Sequence, residues 1–283
     1  MSQGAARFAF IPAPEAVRTC RYSVAMAYFE RLAGTRLRAT AATAGAWNEA
    51  EQHISPIIGL LIHSFERDHA ARREDAPLQM ARLSADIYGV IPIDEFDLTV
   101  SVRRAGRTIE LLEAEVTCGQ RTIVLARAWL LQDTDTSAVA GTAFEPIPPP
   151  EELAPFDPRS VWPGGYIATL QGRRSQFEPG RAMYWLRSDE RLLDGEEVSD
   201  FAQACTHLDA ANGMTVRRDP AEVMFPNVDL TAHFLRSEFA GDWLGFDTRV
   251  TFGATGLGLT HSVLHDAAGP LGSLVQSLTV RSR

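Results

Sequence analysis

The feature that most constrains this sequence is an order of elements that occurs twice. The segment "LSAD" (83–86) and the segment "LTAH" (230–233) share Leu and Ala at the same places, with Ser in one copy and Thr in the other. The letters match only over this short stretch. Around each copy, however, the hydrophobic pattern predicts strand-like pieces, one central helix and then a run of antiparallel strands. A chain of 283 residues can form two such units, each with its own core.

In the first half, extended pieces are predicted at 22–29 and 36–43, ahead of a helix in "SPIIGLLIHSFERDHAARR" (55–73). Ser55-Pro56 is typical of an N-cap followed by proline in the first turn. The apolar residues of this helix recur at helical spacing: Ile54, Ile57, Ile58, Leu61 and Phe65. Three extended runs follow, at 80–90, at 96–118 with a turn at "RRAGR", and at 121–132.

The second half repeats this order. Strand-like pieces at 166–174 and 182–190 precede a single predicted helix, "EEVSDFAQACTHLDAANG" (196–213), which is expected to stop at Gly213. Its apolar stripe is Val198, Phe201, Cys205 and Leu208. Four extended runs complete the chain, at 228–236, 243–252, 257–267 and 271–280. One helix beside a long antiparallel sheet is the hotdog arrangement, so the repeat predicts an α+β double hotdog.

A proline-rich segment lies between the two halves. Pro146, Pro148, Pro149 and Pro150 cannot donate the backbone hydrogen bonds that a helix or central strand needs. We therefore predict an N-terminal hotdog at 1–133, a linker at 134–158 and a C-terminal hotdog at 159–283.

The charge balance limits the partners. A net charge of −9 argues against nucleic acid, because phosphate binding needs a basic surface. Three cysteines, Cys20, Cys118 and Cys205, show neither metal spacing nor a disulfide framework, which is typical of a reducing cytosol. No apolar run reaches the length of a signal peptide core or a membrane span. We expect a cytoplasmic protein with no membrane insertion, and a homo-oligomer as its assembly.

The C-terminal half resembles the acyl-CoA thioesterase II family and its actinobacterial thioesterase-like relatives. The matching pieces are "FPNVDLTAHFLR", "GDWLGFDTRVTFGATGLGLTHSVLHDAAGPLG" and "SLVQSLTV", and the first half matches more loosely. The resemblance implies a double hotdog that hydrolyses a fatty acyl-CoA to free acid and coenzyme A. Water would attack the thioester directly, and neither a cofactor nor a metal is expected.

Asp209 is the first candidate catalytic residue. It lies late in the predicted second helix, at the border of the apolar stripe, where an acid opposes the helix dipole. It could be a solvated surface acid. A half-buried carboxylate can instead take a proton from water, and the resembled family uses an Asp of this helix as that base.

Asn227 and Gln276 complete the predicted site. After Pro226, an Asn is often simple turn chemistry, and the resembled family has Thr near this place, but an amide can still orient a water. Gln276 interrupts the apolar run "LGSLVQSLTV" and could face outward, although the resembled family uses a Gln here. In a hotdog, the central helix lies beside the start of the strand predicted at 228–236 and beside the last strand. We therefore expect the side chains of Asn227 and Gln276 to meet Asp209.

The first half lacks the same set. Ala128 or Trp129 stands near the place of Gln276, and the helix carries an acid only at its end, Glu66. We therefore predict one working site, in the C-terminal hotdog. His53 is the best polar candidate of the first half, but a His at the start of a helix is more often structural. Apolar residues of the second helix and the facing strand, Phe201, Cys205 and Phe234, are predicted to line an acyl tunnel.

Two other functions fit the same fold. A hydratase or dehydratase acting on enoyl- or hydroxyacyl-CoA would need a His beside a carboxylate. His207 is two residues from Asp209, and on a helix their side chains would point apart. A non-catalytic acyl-CoA-binding protein is the third alternative.

Overall fold

The computed structural model describes residues 27–73 and 77–283. Residues 22–26 of the strand predicted at 22–29, and Cys20, lie outside the described residues. The strands are β1 (Ala27–Ala33), β2 (Arg36–Ala39), β3 (Leu78–Ile87), β4 (Glu95–Arg104), β5 (Ile109–Cys118), β6 (Arg121–Gln132), β7 (Pro155–Phe156), β8 (Leu170–Glu178), β9 (Arg181–Ser188), β10 (Arg191–Leu193), β11 (Val223–Met224), β12 (Asp229–Phe234), β13 (Leu244–Phe252), β14 (Leu257–Asp266), β15 (Gly269–Thr279) and β16 (Arg281–Ser282). The α-helices are α1 (Ile54–Arg72), α2 (Gly165–Thr169), α3 (Asp200–Cys205) and α4 (Ala211–Met214).

Within the described ranges, fourteen strands form one continuous sheet in the order β10-β1-β2-β4-β5-β6-β3-β12-β15-β14-β13-β9-β8-β7. Its pairs are antiparallel except for β1 with β10, which is parallel. Read outward from its centre, the sheet has the same arrangement on both sides, because β3 and β12 are followed by strands in matching order. The helices α1 and α3 pack against each other beside it. The predicted α+β double hotdog is confirmed.

The two similar sequence segments lie at the centre of this symmetry. Ser84 of β3 pairs directly with Thr231 of β12, while Leu83 pairs with Ala232 and Ala85 with Leu230. The strand that the sequence repeats is therefore the strand through which the two halves join. All four of these apolar side chains are buried, so the join is part of the main core.

The first helix begins one residue earlier than predicted. His53 is the N-cap, and its Nδ1 accepts a hydrogen bond from the backbone N–H of Ser55 at 3.1 Å. Pro56 lies in the first turn, where its missing donor is harmless. Ser55 is therefore not the cap, and its hydroxyl is free to accept a hydrogen bond from elsewhere in the fold.

The single helix predicted at 196–213 is wrong. Residues 196–199 precede the helix, α3 ends at Cys205, a 3₁₀ turn covers Leu208–Ala210, and α4 follows. Three residues between α3 and α4 are poor helix formers: Thr206, His207 and Asp209. Thr206 also packs tightly on α1, since a Cβ at Gly59 would come within 2.5 Å of its methyl group. This break places Asp209 in a short turn between two helices.

Two predicted strands also differ. The strand predicted at 36–43 ends at Ala39, and Thr40 caps a 3₁₀ turn at Ala41–Thr43. The strand predicted at 166–174 begins only at Leu170, because α2 occupies the preceding residues. The backbone of α2 lies against the loop after β2: Tyr166 donates its N–H to the carbonyl of Ala44 at 3.0 Å.

The proline-rich segment packs on the second half of the sheet. The indole of Trp185 in β9 donates to the carbonyl of Pro148 at 2.8 Å, and Ile147 and Leu153 are buried against the same indole. The short strand β7 then pairs with β8. From Ile147 to Phe156 the segment is thus packed on the C-terminal hotdog. The domain boundaries at 133 and 158 stay predictions.

Candidate active site

Asp209 lies at the centre of a buried hydrogen-bonded cluster. Its side chain is 4% exposed, and its Oδ1 accepts two hydrogen bonds. One comes from the Nδ2 of Asn227 at 2.6 Å and the other from the Nε2 of Gln276 at 3.0 Å. The structure therefore brings together the three residues that the sequence selected as catalytic.

Strand pairing fixes the two amides. Asn227 forms an isolated bridge with Leu278 just before β12, and its Nδ2 also donates to the carbonyl of Asp229 at 3.1 Å. Gln276 lies in β15, opposite Thr260 of β14, and is fully buried. The outward-facing interpretation of Gln276 is therefore wrong. The carbonyl oxygen of its amide has no hydrogen-bond partner among the described residues.

Burial controls the charge of Asp209. Removal from water raises the pKa of its carboxyl from 3.8 to about 7, while the hydrogen bonds from Asn227 and Gln276 act in the lowering direction. At neutral pH the carboxyl thus passes easily between its charged and neutral forms. This is the range in which a group can both accept and return a proton.

The first half of the chain also reaches this cluster. The hydroxyl of Ser55 accepts the backbone N–H of Asp209 at 3.1 Å, and the Nδ1 of His53 lies 3.7 Å from its Oδ2. Burial lowers the pKa of His53 to about 3, so its ring is neutral. Because Nδ1 accepts the N–H of Ser55, the ring proton is on Nε2. The ring packs on Tyr166 with centroids 4.4 Å apart.

A cavity of about 380 Å³ opens beside Asp209. Both halves of the chain line it. The second half supplies Asp209, Asn212, Met224, Pro226 and Asn227; the first half supplies the loop 45–48, residues 51–54 and residues 87–91. Sequence reasoning missed Asn212, although it follows Asp209 by one helical turn and would share its face. It also missed Trp47 and the 87–91 loop, for which no sequence signal existed.

The three residues predicted to line an acyl tunnel lie elsewhere. Phe201 and Phe234 contact each other edge-on, with ring centroids 4.9 Å apart. Cys205 is fully buried in the same core. None of the three lines the cavity beside Asp209. A tunnel between them stays a prediction.

His207 is not part of the cluster. Its ring is buried, with Nδ1 3.3 Å from the hydroxyl of Tyr166, and it does not line the cavity. The His beside Asp209 is His53 of the first half, for which the sequence predicts a structural role.

Among the described residues, no helix has the length and apolar character needed to cross a membrane. Nor do any three His, Cys, Asp or Glu side chains in the described ranges group as metal ligands.

Comparison with known families now decides the family. Residues 43–131 match the model of the acyl-CoA thioesterase N-terminal domain, and residues 146–280 match the model of the C-terminal domain. The chain belongs to the acyl-CoA thioesterase family. As a member of this family it is a thioester hydrolase. No curated protein matches the chain.

Solved structures share the fold at low identity. A hotdog protein of unknown function from Alicyclobacillus acidocaldarius has a TM-score of 0.66 and 14% identity, covering 89% of this chain and 95% of that one. An acyl-CoA thioesterase II from Mycobacterium marinum has a TM-score of 0.59 and 14% identity, covering 90% and 96%. A dehydratase domain of the curacin polyketide synthase has a TM-score of 0.51 and 13% identity, covering 92% and 98%. These likenesses support the double hotdog fold.

Proposed function

We propose that this thioesterase hydrolyses a fatty acyl-CoA to the free acid and coenzyme A, with Asp209 as the general base. One observation carries the proposal. A buried carboxyl with a pKa of about 7, oriented by two amides, lies at the wall of a largely apolar cavity. Groups with such shifted pKa values concentrate at catalytic sites.

In the proposed reaction, a water beside Asp209 attacks the thioester carbonyl carbon. The ionised carboxyl of Asp209 takes one proton from that water as the carbon–oxygen bond forms. The tetrahedral intermediate then breaks its carbon–sulfur bond, and the proton on Asp209 passes to the departing sulfur. The products are the acid and the free thiol, and Asp209 returns to its ionised form. A pKa near neutrality suits both proton transfers.

The amides have separate duties in this scheme. Gln276 is fully buried and does not line the cavity, so it holds Asp209 in place. Asn227 lines the cavity and can orient the attacking water while it donates to Asp209. The resembled family has a Thr near this position. The amide of Asn227, like a Thr hydroxyl, can both donate and accept hydrogen bonds.

The first turn of α1 supplies the donor for the developing oxyanion. His53 and Ile54 line the cavity where this helix begins. The first N–H groups of a helix have no partner within it, and they carry the positive end of the helix dipole. Such preorganised donors stabilise a tetrahedral oxyanion. The carbonyl oxygen of the thioester is thus expected to face the N–H of Ile54.

A second candidate function rests on the distance of 3.7 Å between His53 and Asp209. A His beside a carboxyl is the pair that a hydratase or dehydratase acting on enoyl- or hydroxyacyl-CoA would use. The neutral ring of His53 already accepts the N–H of Ser55, so it does not donate to Asp209 through Nδ1. This arrangement favours hydrolysis over hydration.

A panel of acyl-CoA and enoyl-CoA esters tests the two functions. Free thiol is followed with a thiol reagent, and the enoyl group is followed by its absorbance. We expect saturable, enzyme-dependent thiol release from saturated esters. A change in enoyl absorbance without thiol release would establish the hydratase instead. Saturable binding with neither change would leave a non-catalytic binding protein and would refute the proposal.

A further inference from the structure

The cavity beside Asp209 adjoins a smaller void, and the side chain of Trp47 is the largest of those that line both spaces. The void has a volume of about 20 Å³. Both spaces are lined by Ala46, Trp47, His53 and Asn212. The void is also bounded by Trp162, Ile167, Ala210, Gly213 and Met214.

Three aromatic rings form this end of the cavity. Trp47 contacts Trp162 edge-on at 4.7 Å between centroids, and it contacts Phe225 in the same way at 5.3 Å. Trp162 is fixed, because its indole N–H donates to the carbonyl of Gly213 at 2.7 Å. The indole N–H of Trp47 has no acceptor among the described residues, and the guanidinium of Arg283 lies 5.8 Å from its ring. Ring packing and the nearby guanidinium, rather than a hydrogen bond, therefore hold Trp47 in place.

The cavity is small for an acyl-CoA site. Small-molecule sites commonly measure roughly 300–1,000 Å³, and this one must hold the thioester group beside Asp209 as well as the acyl chain. Its wall is mainly apolar, with Ile54, Ile87, Val90, Ile91 and Met224. Such a wall suits the acyl group, whereas the charged nucleotide of coenzyme A gains nothing by leaving water. The acyl chain would thus end against Trp47.

We propose that Trp47 determines the acyl-chain specificity of this enzyme and restricts it to short acyl groups. The inference rests on the proposed function. A longer chain would have to displace the indole, and beyond it lies only a void too small for further carbons. Removal of the indole joins the two spaces and extends the apolar surface to Ile167 and Met214.

Chain-length dependence tests the inference in two ways. Thiol release is measured with butyryl-, octanoyl- and palmitoyl-CoA, and binding is measured with the matching non-hydrolysable thioethers. The variants are Trp47→Ala, Trp47→Phe as a milder change, and Trp243→Ala as control. Trp243 is also half-buried beside an arginine, with Arg187 5.0 Å from its ring, but it lines neither space. Phe201→Trp tests the predicted tunnel in parallel.

We expect the wild type to prefer the butyryl ester. In Trp47→Ala, the ratio of octanoyl to butyryl kcat/KM and the corresponding affinity ratio should rise about tenfold or more, because each substrate methylene that an apolar pocket accommodates changes discrimination by roughly tenfold or more. Trp47→Phe should give a smaller rise, and Trp243→Ala none. Unchanged ratios in both Trp47 variants would overturn the inference, as would a shift confined to Phe201→Trp. Binding that follows this pattern without thiol release would refute only the proposed function.

Discussion

The two halves of the molecule share one arrangement of strands and helices, but they differ in the residues that surround Asp209 in the second half and the equivalent position in the first. The strand pairing shows which residues are equivalent. Asn227 pairs with Leu278 in the second half, and Met80 pairs with Leu130 at the equivalent place in the first half. Thr231 pairs with Val275, and its equivalent Ser84 pairs with Arg127. The residue after Arg127, Ala128, is therefore equivalent to the residue after Val275, Gln276. The prediction that Ala128 or Trp129 stands there is confirmed for Ala128. The first half therefore has a methionine and an alanine where the second half has two amides.

The helices show the same contrast. His63 follows the N-cap of α1 at the spacing at which Asp209 follows the N-cap of α3, Ser199. The Nε2 of His63 lies 3.3 Å from a carboxylate oxygen of Glu196. Ser199 donates its hydroxyl to Glu66 at 2.7 Å. The polar groups at this equivalent position are thus hydrogen-bonded to one another rather than to a buried acid.

The comparison teaches that the halves share the residues that build the sheet but not the polar residues of the proposed site. Both halves keep the apolar strands that build the sheet, because these hold the fold together. Only the second half keeps the amides around a buried acid. The first half contributes instead to the wall of the cavity beside Asp209, through His53 and residues 45–48 and 87–91. The hydroxyl of Ser55 also accepts the backbone N–H of Asp209. One site therefore depends on both halves.

The largest fall in turnover is expected when the carboxyl of Asp209 is removed. Asp209→Asn keeps the shape and can still accept from Asn227 and Gln276, but it cannot take a proton. Turnover should fall by roughly 10²–10⁴-fold, the usual contribution of a general base, while acyl-CoA binding stays nearly unchanged. Glu66→Gln is the matched control in the first half and should leave turnover close to wild type. Equal loss in the two variants would contradict the division between the halves.

A smaller effect is expected for the buried amide. Gln276→Ala removes one hydrogen bond to a charged group, worth roughly 1.5–3 kcal/mol, so turnover should fall about ten- to hundredfold. Because that hydrogen bond lowers the pKa of Asp209, the midpoint of the pH–rate profile should also move upward. The exposed neighbour Ser277→Ala should change neither quantity. A fall in rate with an unchanged midpoint would indicate a purely structural role for Gln276.

The smallest effect tests the contribution of the first half. His53→Asn and His53→Ala both remove the ring beside Asp209 and admit water. Turnover should fall by about tenfold in both, or roughly 1.4 kcal/mol. Only His53→Ala also removes the helix cap, so it alone should lose about 1 kcal/mol of unfolding free energy. If turnover followed stability across the two variants, His53 would be a cap and nothing more.

Much of the fold was predictable because it depends on local pattern. Alternating and helical periodicity located β3–β6 and β12–β15 to within a few residues, and Gly106 marked the turn between β4 and β5. The break after α3 was not predicted, although the poor helix formers Thr206 and His207 lie in it. The packing of Thr206 on Gly59, a residue far away in the sequence, carries no local signal.

The site was predictable only in part. Asp209, Asn227 and Gln276 were selected through a family resemblance, since nothing in their spacing shows that three distant residues meet. The sequence predicts a structural role for His53 because it starts a helix, and its neighbour Asp209 lies in the other half of the chain, where no local pattern reveals it. Trp47 carried no signal at all, since its role depends on the shape of the space around it.

The pH dependence of kcat/KM for thiol release tests most directly whether Asp209 is the base. Burial raises the pKa of this carboxyl from 3.8 to about 7, and only the ionised form can accept a proton from water. The rate should therefore be low in acid, reach half its maximum at about pH 7 and level off above it. A profile that stays flat through neutrality, or that reaches half-maximum near the ordinary carboxyl pKa of about 4, would contradict this account.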